Sequence, residues 1–457
     1  MTFTWVAVLL LTQVPGAEEP ADSAWPSAFS AEAVLPAPPT AVGEGGGWNS
    51  LLRLEASTLA LLPRGGGEPV GYAQLRPTLV VDGGGAWGLH MGAPVRLRLR
   101  LWGGEAGGEA GAGRVRKEDW DSLSDWGQVV RALKLGSEES AVSLWVGAME
   151  DYSLLSGHLV RRYYRANPDY QPAGGYLTSS VGPLFVEVFT SDMLGARLVG
   201  AQAEVDLAHV LAGPLREPGR YTLGLSAVRE WGRAGGQSPQ VTLAHVDGTA
   251  VVVVRPSFEL HVLAGWGGRP DTAGAWGAVV GMGADALTPT LDMKLRLEVR
   301  RQRGGFRQGY FGPDYELARL SAVSRSGTPV MQAPFPEGLS AYGEAVVGWD
   351  GVRLGEVLQR HLHLSVGAEV FDWGRVDVDG RLAVQLAERS LEVAVSGLAR
   401  GLGQPGARHL YSAEVRWRFG RRLYALAQGG TRLYPGADGT LSPVAFASLG
   451  MGVDDAR

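Results

Sequence analysis

The sequence predicts an all-β fold, a single transmembrane antiparallel β-barrel of about 18 strands, within a range of about 16 to 20. Three observations predict it. Charged and aliphatic side chains alternate along segments of about 8 to 11 residues, turn residues separate these segments, and helical periodicity is nearly absent. We expect a signal peptide at residues 1–17, a flexible leader at 18–46 and the barrel at 47–457.

The segment Val95–Trp102 shows the alternation most clearly, because arginine and aliphatic residues take turns along it. Successive side chains of a β-strand point to opposite faces, so Arg96, Arg98 and Arg100 share one face. A soluble sheet also alternates, with a polar face toward water and an apolar face toward a core. The recurrence of the pattern along the chain favours a barrel wall between lipid and a wet lumen.

The charged face of each such strand is predicted to line the lumen, and the aliphatic face to contact lipid. An arginine on the lipid face at the membrane midplane costs about 2–4 kcal/mol, which argues against the opposite register. The predicted pore-lining residues are Arg96, Arg98, Arg100, Lys294, Arg296, Arg300, Arg416 and Arg418. The predicted lipid-facing residues include Leu97, Leu99, Leu295, Leu297 and Val415.

The composition excludes several classes of protein. Cysteine is absent, which excludes disulfides, thiolate metal sites, a cysteine nucleophile and a lipoprotein anchor. The net charge of −5 gives no sign of a nucleic-acid surface. A soluble sandwich, propeller or solenoid is the alternative fold, but isoleucine is absent and the sequence has no repeat of fixed period.

The N-terminus has the shape of a signal peptide. An apolar run from Phe3 to Val14 precedes the small residues Pro15-Gly16-Ala17, which suit cleavage. The usual positively charged start is missing, so a mistaken start codon or a buried N-terminal segment is the alternative. The residues that follow, 18–46, are rich in Ala, Pro, Glu and Gly, which predicts a flexible leader.

Turn and aromatic residues mark the boundaries of the predicted strands. Turns of the Asp-Gly type are predicted at Asp82-Gly83, Asp247-Gly248, Asp350-Gly351 and Asp379-Gly380. Tryptophans at segment ends fit interfacial girdles, or simply the abundance of this residue; they are Trp102, Trp231, Trp266, Trp349 and Trp373. The best short helical candidate is Leu354–Arg360, and the last strand is expected to end near Val453.

A stretch of roughly 80 residues beyond position 115 resembles porin-like outer-membrane β-barrels of myxobacterial type. The resemblance is carried by Glu118–Asp121, Ser124-Asp125, Val129–Leu135, Ser143–Gly147, Gly157–Tyr164, Asn167, Asp169 and Gly174-Gly175. It implies a channel or an envelope scaffold and no catalytic residues. One departure is the C-terminus, Gly452–Arg457, where such barrels usually end in an aromatic residue.

Motifs for catalysis or cofactor binding are weak. The stretch Gly401–Gly406 matches G-x-G-x-x-G by letter, but it lies between two predicted strands without a following helix. His361 and His363, with Glu369, could bind a metal ion, and Glu204 with Asp206 could act as acid and base; lumen-lining polar residues explain both sets more simply. We therefore expect no catalytic residue, cofactor or metal, and no enzyme.

The predicted loop at 151–175 contains the most interesting charged cluster, Arg161, Arg162 and Arg165, with Tyr163 and Tyr164 beside it. A loop folded into a barrel can narrow the pore and set its charge selectivity. The alternative is a solvated surface loop. On the three most charged strands the predicted lumen face has eight cationic and three anionic residues, which favours anions, whereas Glu204, Asp206 and Glu369 on other strands favour cations.

These observations predict a passive channel in the bacterial outer membrane for small or anionic solutes. The expected partners are outer-membrane lipid and lipopolysaccharide and other envelope proteins, with no nucleic acid. The alternative function is a structural barrel in an envelope machine, for polysaccharide export or for surface motility and adhesion. An outer-membrane enzyme without a recognised motif is a third, weaker alternative.

Overall fold

A computed structural model describes residues 49–63, 69–83, 87–99, 113–136, 140–149, 152–163, 172–195, 197–213, 220–231, 241–315, 336–350, 361–386, 390–405, 407–435 and 441–456. The predicted signal peptide and leader, Trp102 and the helical candidate at 354–360 lie outside these ranges. Among the described residues, no helix is long and apolar enough to cross a membrane.

The chain forms one antiparallel sheet that closes on itself. Its strands are β1 (Asn49–Pro63), β2 (Val70–Asp82), β3 (Trp87–Met91), β4 (Val95–Leu99), β5 (Val130–Leu135), β6 (Val142–Gly147), β7 (Gly174–Val181), β8 (Leu184–Thr190), β9 (Leu198–Asp206), β10 (Tyr221–Glu230), β11 (Val241–Arg255), β12 (Phe258–Gly268), β13 (Trp276–Leu287), β14 (Leu291–Arg303), β15 (Gly338–Asp350), β16 (His361–Phe371), β17 (Val376–Leu386), β18 (Leu391–Leu402), β19 (Arg408–Arg418), β20 (Leu423–Pro435) and β21 (Leu441–Ala456). Closure comes from β1, which pairs with both β2 and β21.

The 21 strands of the described residues occupy 20 positions around the barrel, because β3 and β4 both pair with β2 and together form the third position. The wall is interrupted between them at Gly92 and Pro94, where proline has no N–H for the ladder. The N–H of Gly92 donates instead to the carbonyl of Val129 at 2.9 Å. Twenty positions lie within the predicted range, so the prediction of a large antiparallel barrel is confirmed.

The two faces of the wall differ in polarity as the alternation predicts. On β14, Leu295, Leu297 and Val299 are exposed, whereas Glu298 and Arg300 on the opposite face are buried. The predicted lipid-facing residues are all exposed on this apolar outer face, namely Leu97, Leu99, Leu295, Leu297 and Val415. An apolar outer face over a polar inner face is the arrangement of strands that cross a membrane.

The two rims of the barrel also differ. The longest connections, 100–129, 148–173 and 304–337, all leave the same rim, which we call the loop rim. The first and last strands begin and end at the other rim, the turn rim, where 182–183 and 256–257 connect strands. The loop-rim connection 100–129 contains a helix, α1 (Leu123–Trp126), between two short 3-10 segments, Lys117–Asp119 and Gly127–Val129.

Some predicted boundaries are wrong. Asp247-Gly248 and Asp379-Gly380 lie within β11 and β17, because their aspartates face inward and find partners in the lumen. Asp82 and Asp350 do end β2 and β15. Strand β9 stops at Asp206, whose carboxylate accepts the His209 N–H at 3.1 Å and caps a helix, α2 (Leu207–Ala212). The last strand continues past Val453 to Ala456.

Candidate functional site

The connection between β6 and β7 folds into a tight hairpin over residues 152–163, the inner hairpin. Tyr152 and Tyr163 pair as a β-bridge, with N–H to carbonyl distances of 3.1 and 2.7 Å. The Leu154 N–H donates to the Val160 carbonyl at 3.1 Å. At the tip, Gly157 has a φ of +69°, a conformation that glycine adopts without a steric cost.

The inner hairpin crosses the lumen. It leaves the wall between β6 and β7, the fifth and sixth positions, and it contacts β14, β15 and β17, the thirteenth, fourteenth and sixteenth. Arg161 donates through Nε to Oε2 of Glu344 on β15 at 2.7 Å, and Nη1 of Arg162 lies 2.7 Å from Oδ2 of Asp379 on β17. These positions lie on opposite sides of a barrel of 20, so the hairpin lies inside it.

A second loop-rim segment, residues 304–315, lies beside the hairpin; we call it the inner segment. The Phe311 N–H donates to the Leu159 carbonyl at 3.1 Å, and the Gly309 N–H donates to the His158 carbonyl at 2.8 Å. The Arg161 N–H donates in turn to the Phe311 carbonyl at 3.3 Å, which makes a short parallel pairing. The two segments therefore support each other within the lumen.

An apolar cluster fixes one side of both segments. The side chains of Tyr163, Phe306, Phe311 and Tyr315 are fully buried, together with residues of the wall such as Phe189. Neighbouring rings meet edge to face, with the centroids of Phe311 and Tyr315 5.0 Å apart. Each large apolar side chain buried here contributes about 1.5–3 kcal/mol, so the cluster holds the segments more firmly than single hydrogen bonds would.

The first charged cluster joins the hairpin to β14, β15 and β16. Arg300 lies between two carboxylates, with Nη2 2.6 Å from Glu298 and Nη1 3.1 Å from Glu369. Arg296 also donates to Glu298. Two guanidinium groups contact the ring of Tyr342, with that of Arg161 4.9 Å and that of Arg300 3.9 Å from the ring centroid. Its members are Arg161, Arg296, Arg300, Glu298, Tyr342, Glu344 and Glu369.

The second charged cluster joins both inner segments to β17 and β18. Arg307 of the inner segment lies 3.0 Å from Asp314, and Arg400 of β18 lies 3.3 Å from the same carboxylate. Arg400 also reaches Asp377 and Asp379, each at 3.5 Å. Burial alone would raise the pKa of Asp314, but the guanidinium groups of Arg307 and Arg400 outweigh it and lower this pKa to about 2.

A third charged cluster lies nearer the turn rim, where β1 meets the last strands. Arg53 forms a bidentate salt bridge with Asp454, with Nε–Oδ1 and Nη2–Oδ2 distances of 2.7 and 3.1 Å. Arg418 lies 2.9 Å from the same carboxylate. Arg416 lies among three carboxylates, at distances of 3.4 to 3.6 Å from Glu55, Glu392 and Glu414. The cluster lies away from the inner hairpin.

All of the predicted pore-lining residues that the structure describes lie on the inner face of the barrel, but their surroundings differ. Arg96 is buried and donates to Asp119 at 2.6 Å and to Gln74 at 3.0 Å. Arg98 and Lys294 are exposed, and Arg296, Arg300, Arg416 and Arg418 belong to the clusters above. Arg100, Tyr164 and Arg165 lie outside the described residues. Their role in lining a pore stays a prediction.

The sequence pointed to some of the carboxylates that contact the arginines, namely Glu298, Glu369 and Glu414. It did not point to Glu344 and Glu392, which neighbouring strands bring to Arg161 and Arg416. Sequence reasoning also missed the inner-face glycines of β12 and β13, which make room for large side chains. A Cβ atom at Gly265 would lie 2.4 Å from the His245 ring, and one at Gly277 2.6 Å from Phe306.

The structure does not assemble the candidate metal site of His361, His363 and Glu369, nor the candidate acid–base pair of Glu204 and Asp206. Glu369 accepts hydrogen bonds from Ser340 at 2.6 Å and from Gln302 at 3.2 Å. It is six residues from His363, a span of about 20 Å along a strand. Glu204 accepts from Gln202 at 2.8 Å, whereas Asp206 caps α2. The stretch Gly401–Gly406 connects β18 to β19 and precedes a strand, not a helix.

Among known proteins, similarity to this chain is found in solved structures only. No protein-family model matches the chain, and no curated protein matches it. Acinetobacter baumannii OccAB3 is similar with a TM-score of 0.38 and 9% identity, over 90% of this chain and 99% of that chain. A BenF-like porin from Pseudomonas fluorescens Pf-5 has a TM-score of 0.34 and 12% identity, over 90% and 98% of the two chains.

Pseudomonas aeruginosa OpdK, solved with vanillate, has a TM-score of 0.33 and 13% identity, over 90% of this chain and 99% of that chain. At these values the likeness carries no weight for function, and the assignment of a closed antiparallel barrel rests on the strand pairing described above. The resemblance to barrels of myxobacterial type has no counterpart among these three structures and stays a prediction.

Proposed function

We propose that this protein is a passive channel of the bacterial outer membrane for small solutes, with the inner hairpin as its constriction. One observation carries the proposal: the hairpin crosses the lumen and is anchored to the opposite wall through Arg161 and Arg162. A segment held across a wet lumen by paired charges narrows the path and exposes solutes to a focused field.

The narrower part of the proposal is a preference for anionic solutes. Two predicted cations of the inner face, Arg98 and Lys294, are exposed, so a solute in the lumen can reach them. Glu259, on the inner face of β12, is exposed as well. Because most other arginines of the inner face contact carboxylates, the sign of the selectivity depends on these few accessible groups and on the charges of the hairpin.

Conductance in a planar bilayer tests the proposal. The wild-type protein should show steady open conductance, and a salt gradient should give a reversal potential that favours anions. Replacing Arg161, Arg162 and Arg165 together by Ser should shift the reversal potential toward cations, because Glu344 and Asp379 each lose an arginine that offsets their negative charge. A matched control is Arg303→Ser, which removes an exposed arginine paired with Glu337 at the loop rim.

Two results would contradict parts of the proposal. An unchanged reversal potential in the triple variant would place the hairpin outside the conduction path. Absence of conductance in correctly folded protein would favour the alternative, a structural barrel in an envelope machine for polysaccharide export or for surface motility and adhesion. The apolar cluster, which fills one side of the lumen, is the observation that supports this alternative. Either function implies contact with outer-membrane lipid and lipopolysaccharide, and the second also requires partner proteins.

A further inference from the structure

We propose that the inner hairpin and β11 together bind one divalent transition-metal ion, with His158, His245 and Asp247 as ligands. The three side chains are buried, and their candidate ligand atoms all lie within 4.8 Å of one another. Two ligands come from one strand, and the third comes from the tip of the hairpin that crosses the lumen. The proposal rests on the fold of the hairpin and does not depend on conduction.

Two of the ligands already have the spacing that a metal ion requires. Nδ1 of His245 lies 3.4 Å from Oδ1 of Asp247. Ligands at about 2.1 Å from a tetrahedral ion are about 3.4 Å apart, so an ion fits between these atoms without movement of the wall. Residues two apart on a strand share a face, which explains why β11 presents this pair.

The surroundings of His245 leave its Nδ1 atom available. This nitrogen is buried and makes no hydrogen bond among the described residues. Nε2, on the other side of the ring, lies 3.1 Å from the Gln308 amide nitrogen, while the amide oxygen of Gln308 is buried without a hydrogen bond. A rotation of this amide by 180° about its terminal bond would let the oxygen accept the Nε2 proton.

That arrangement matches the outer shell of known metal sites. A histidine ligand typically donates its second N–H to a neighbouring acceptor, which fixes the tautomer that leaves the first nitrogen free for the metal. Gln308 is on the inner segment, so the hairpin, the inner segment and β11 would meet at one ion. The glycines of β12 make room for the ring, because a Cβ atom at Gly267 would lie 2.5 Å from His245.

The third ligand, His158, is positioned by stacking. Its ring lies over that of His245, with the centroids 4.4 Å apart. Nη2 of Arg296 lies 3.4 Å from both nitrogens of His158, and because the distances are equal it is aligned with the lone pair of neither. The charge of Arg296 is offset by its ion pair with Glu298. The candidate ligand nitrogen of His158 lies within 4.8 Å of the ligand atoms of His245 and Asp247, so only a small shift would bring it to the ion.

The ligand set indicates the class of metal. Neutral imidazoles with one carboxylate suit Zn²⁺, Ni²⁺ and Cu²⁺ better than Ca²⁺ or Mg²⁺, which prefer oxygen ligands. Three protein ligands leave a fourth position open. The Ser156 hydroxyl lies 3.2 Å from Oδ1 of Asp247 and is a polar group that a water there would contact. An ion at this place would tie the tip of the hairpin to the wall.

Calorimetric titration of the detergent-folded, chelator-treated protein with ZnCl₂ tests the proposal. The expected result is saturable binding of one Zn²⁺ per chain and a higher melting temperature with Zn²⁺ present. His158→Ala and Asp247→Asn should each abolish saturable binding. Gln308→Ala, which removes the outer-shell acceptor, should weaken it by about 10- to 100-fold. His363→Ala is the matched control, since this histidine lies on the inner face of β16 and should not alter binding.

The outcomes of this titration test the metal site independently of the channel function. Absence of Zn²⁺ binding in folded wild-type protein would overturn the site and leave the conductance result unaffected. Equal binding by wild type and by His158→Ala would also overturn it, because it would assign the ion to other groups. His158 is on the hairpin, not in the wall, so its variant should fold, and heat-modifiable migration on a denaturing gel verifies this. Binding in a protein that conducts no current would support the site on its own.

Discussion

The guanidinium of Arg162 and the carboxylate of Asp379 lie 2.7 Å apart, although one residue is on the inner hairpin and the other on the opposite wall. Arg162 has a φ of +50°, in the left-handed region where residues other than glycine are strained by about 1–3 kcal/mol. Its N–H donates to the Ser153 hydroxyl at 2.9 Å. The ion pair and this hydrogen bond together retain a backbone conformation that the sequence alone disfavours.

The first prediction concerns this pair. Arg162→Ala removes the guanidinium that lies 2.7 Å from the buried Asp379 carboxylate and leaves Arg400 at 3.5 Å. Removing one partner of a buried pair typically costs about 3–5 kcal/mol, and we expect the lower end because Arg400 remains. The free energy of unfolding in urea measures the loss, and current noise in a bilayer should rise as the hairpin loosens.

A matched control and a double variant sharpen this test. Arg303→Ala removes an exposed pair with Glu337 and should cost less than about 1 kcal/mol. Adding Asp379→Asn to Arg162→Ala should recover part of the stability, since it removes the buried negative charge that Arg162 no longer offsets. A double variant no more stable than the single one would show that the pair does not anchor the hairpin.

The second prediction is a pH dependence of the inner segment. Because the pKa of Asp314 is lowered to about 2, its ion pairs stabilise the folded state fully above its ordinary pKa of about 3.9. This contribution is lost as the pH falls through about 2, so the inner segment should resist protease at pH 4 and become labile only near pH 2.

Asp314→Asn is the variant that isolates this group. The amide cannot ionise, so the contribution of Asp314 should be missing at pH 7, and the protease resistance of the segment should change less between pH 4 and pH 2. A wild-type protein whose inner segment opens already at pH 4 would contradict the lowered pKa. The same measurement at high salt shows whether the pairs are as well shielded as their burial indicates.

The third prediction concerns the space left by inner-face glycines. A methyl group at Gly267 would meet the His245 ring at 2.5 Å and the Ala244 carbonyl oxygen at 2.7 Å, so one of them must move. Overpacking of this kind typically costs about 1–3 kcal/mol, and it should also weaken Zn²⁺ binding. Gly397→Ala is the control, because its Cβ would meet no atom within 4 Å. Equal stability of the two variants would contradict the close packing.

The faces of the strands could be predicted from the sequence because alternation is a local property. The charged and aliphatic faces of β14 and β19 follow directly from the order of their residues. The partners on strands far apart in the chain could not, since the register between such strands depends on closure of the whole sheet. Arg53 and Asp454, which are 401 positions apart, show this limit.

The Asp-Gly turns that are wrong have a related cause. Asp247 and Asp379 have the local signature of a turn, but each carboxylate has a partner in the lumen, Ser156 for the first and Arg162 for the second. Both partners are on the inner hairpin, whose path is set by tertiary contacts. The same contacts bring His158 to His245, which are 87 positions apart in the chain and have no joint sequence signature.

The last prediction tests the orientation of the wall itself. On β4, Leu97 is exposed on the outer face and Arg98 on the inner face, so their cysteine variants should differ in the membrane. In liposomes, Arg98→Cys should react with a water-soluble maleimide. Water in the lumen gives the reagent access and allows the thiol to ionise to the thiolate that reacts. Leu97→Cys should stay unlabelled, because lipid excludes both the reagent and the ionised thiol.

Glu337→Cys at the loop rim, where the parent side chain is half exposed, is the positive control. The chain has no native cysteine, so any label reports the introduced site. Labelling of Leu97→Cys without labelling of Arg98→Cys would show that the aliphatic face lines the lumen and the charged face meets lipid. That result would contradict a charged lumen.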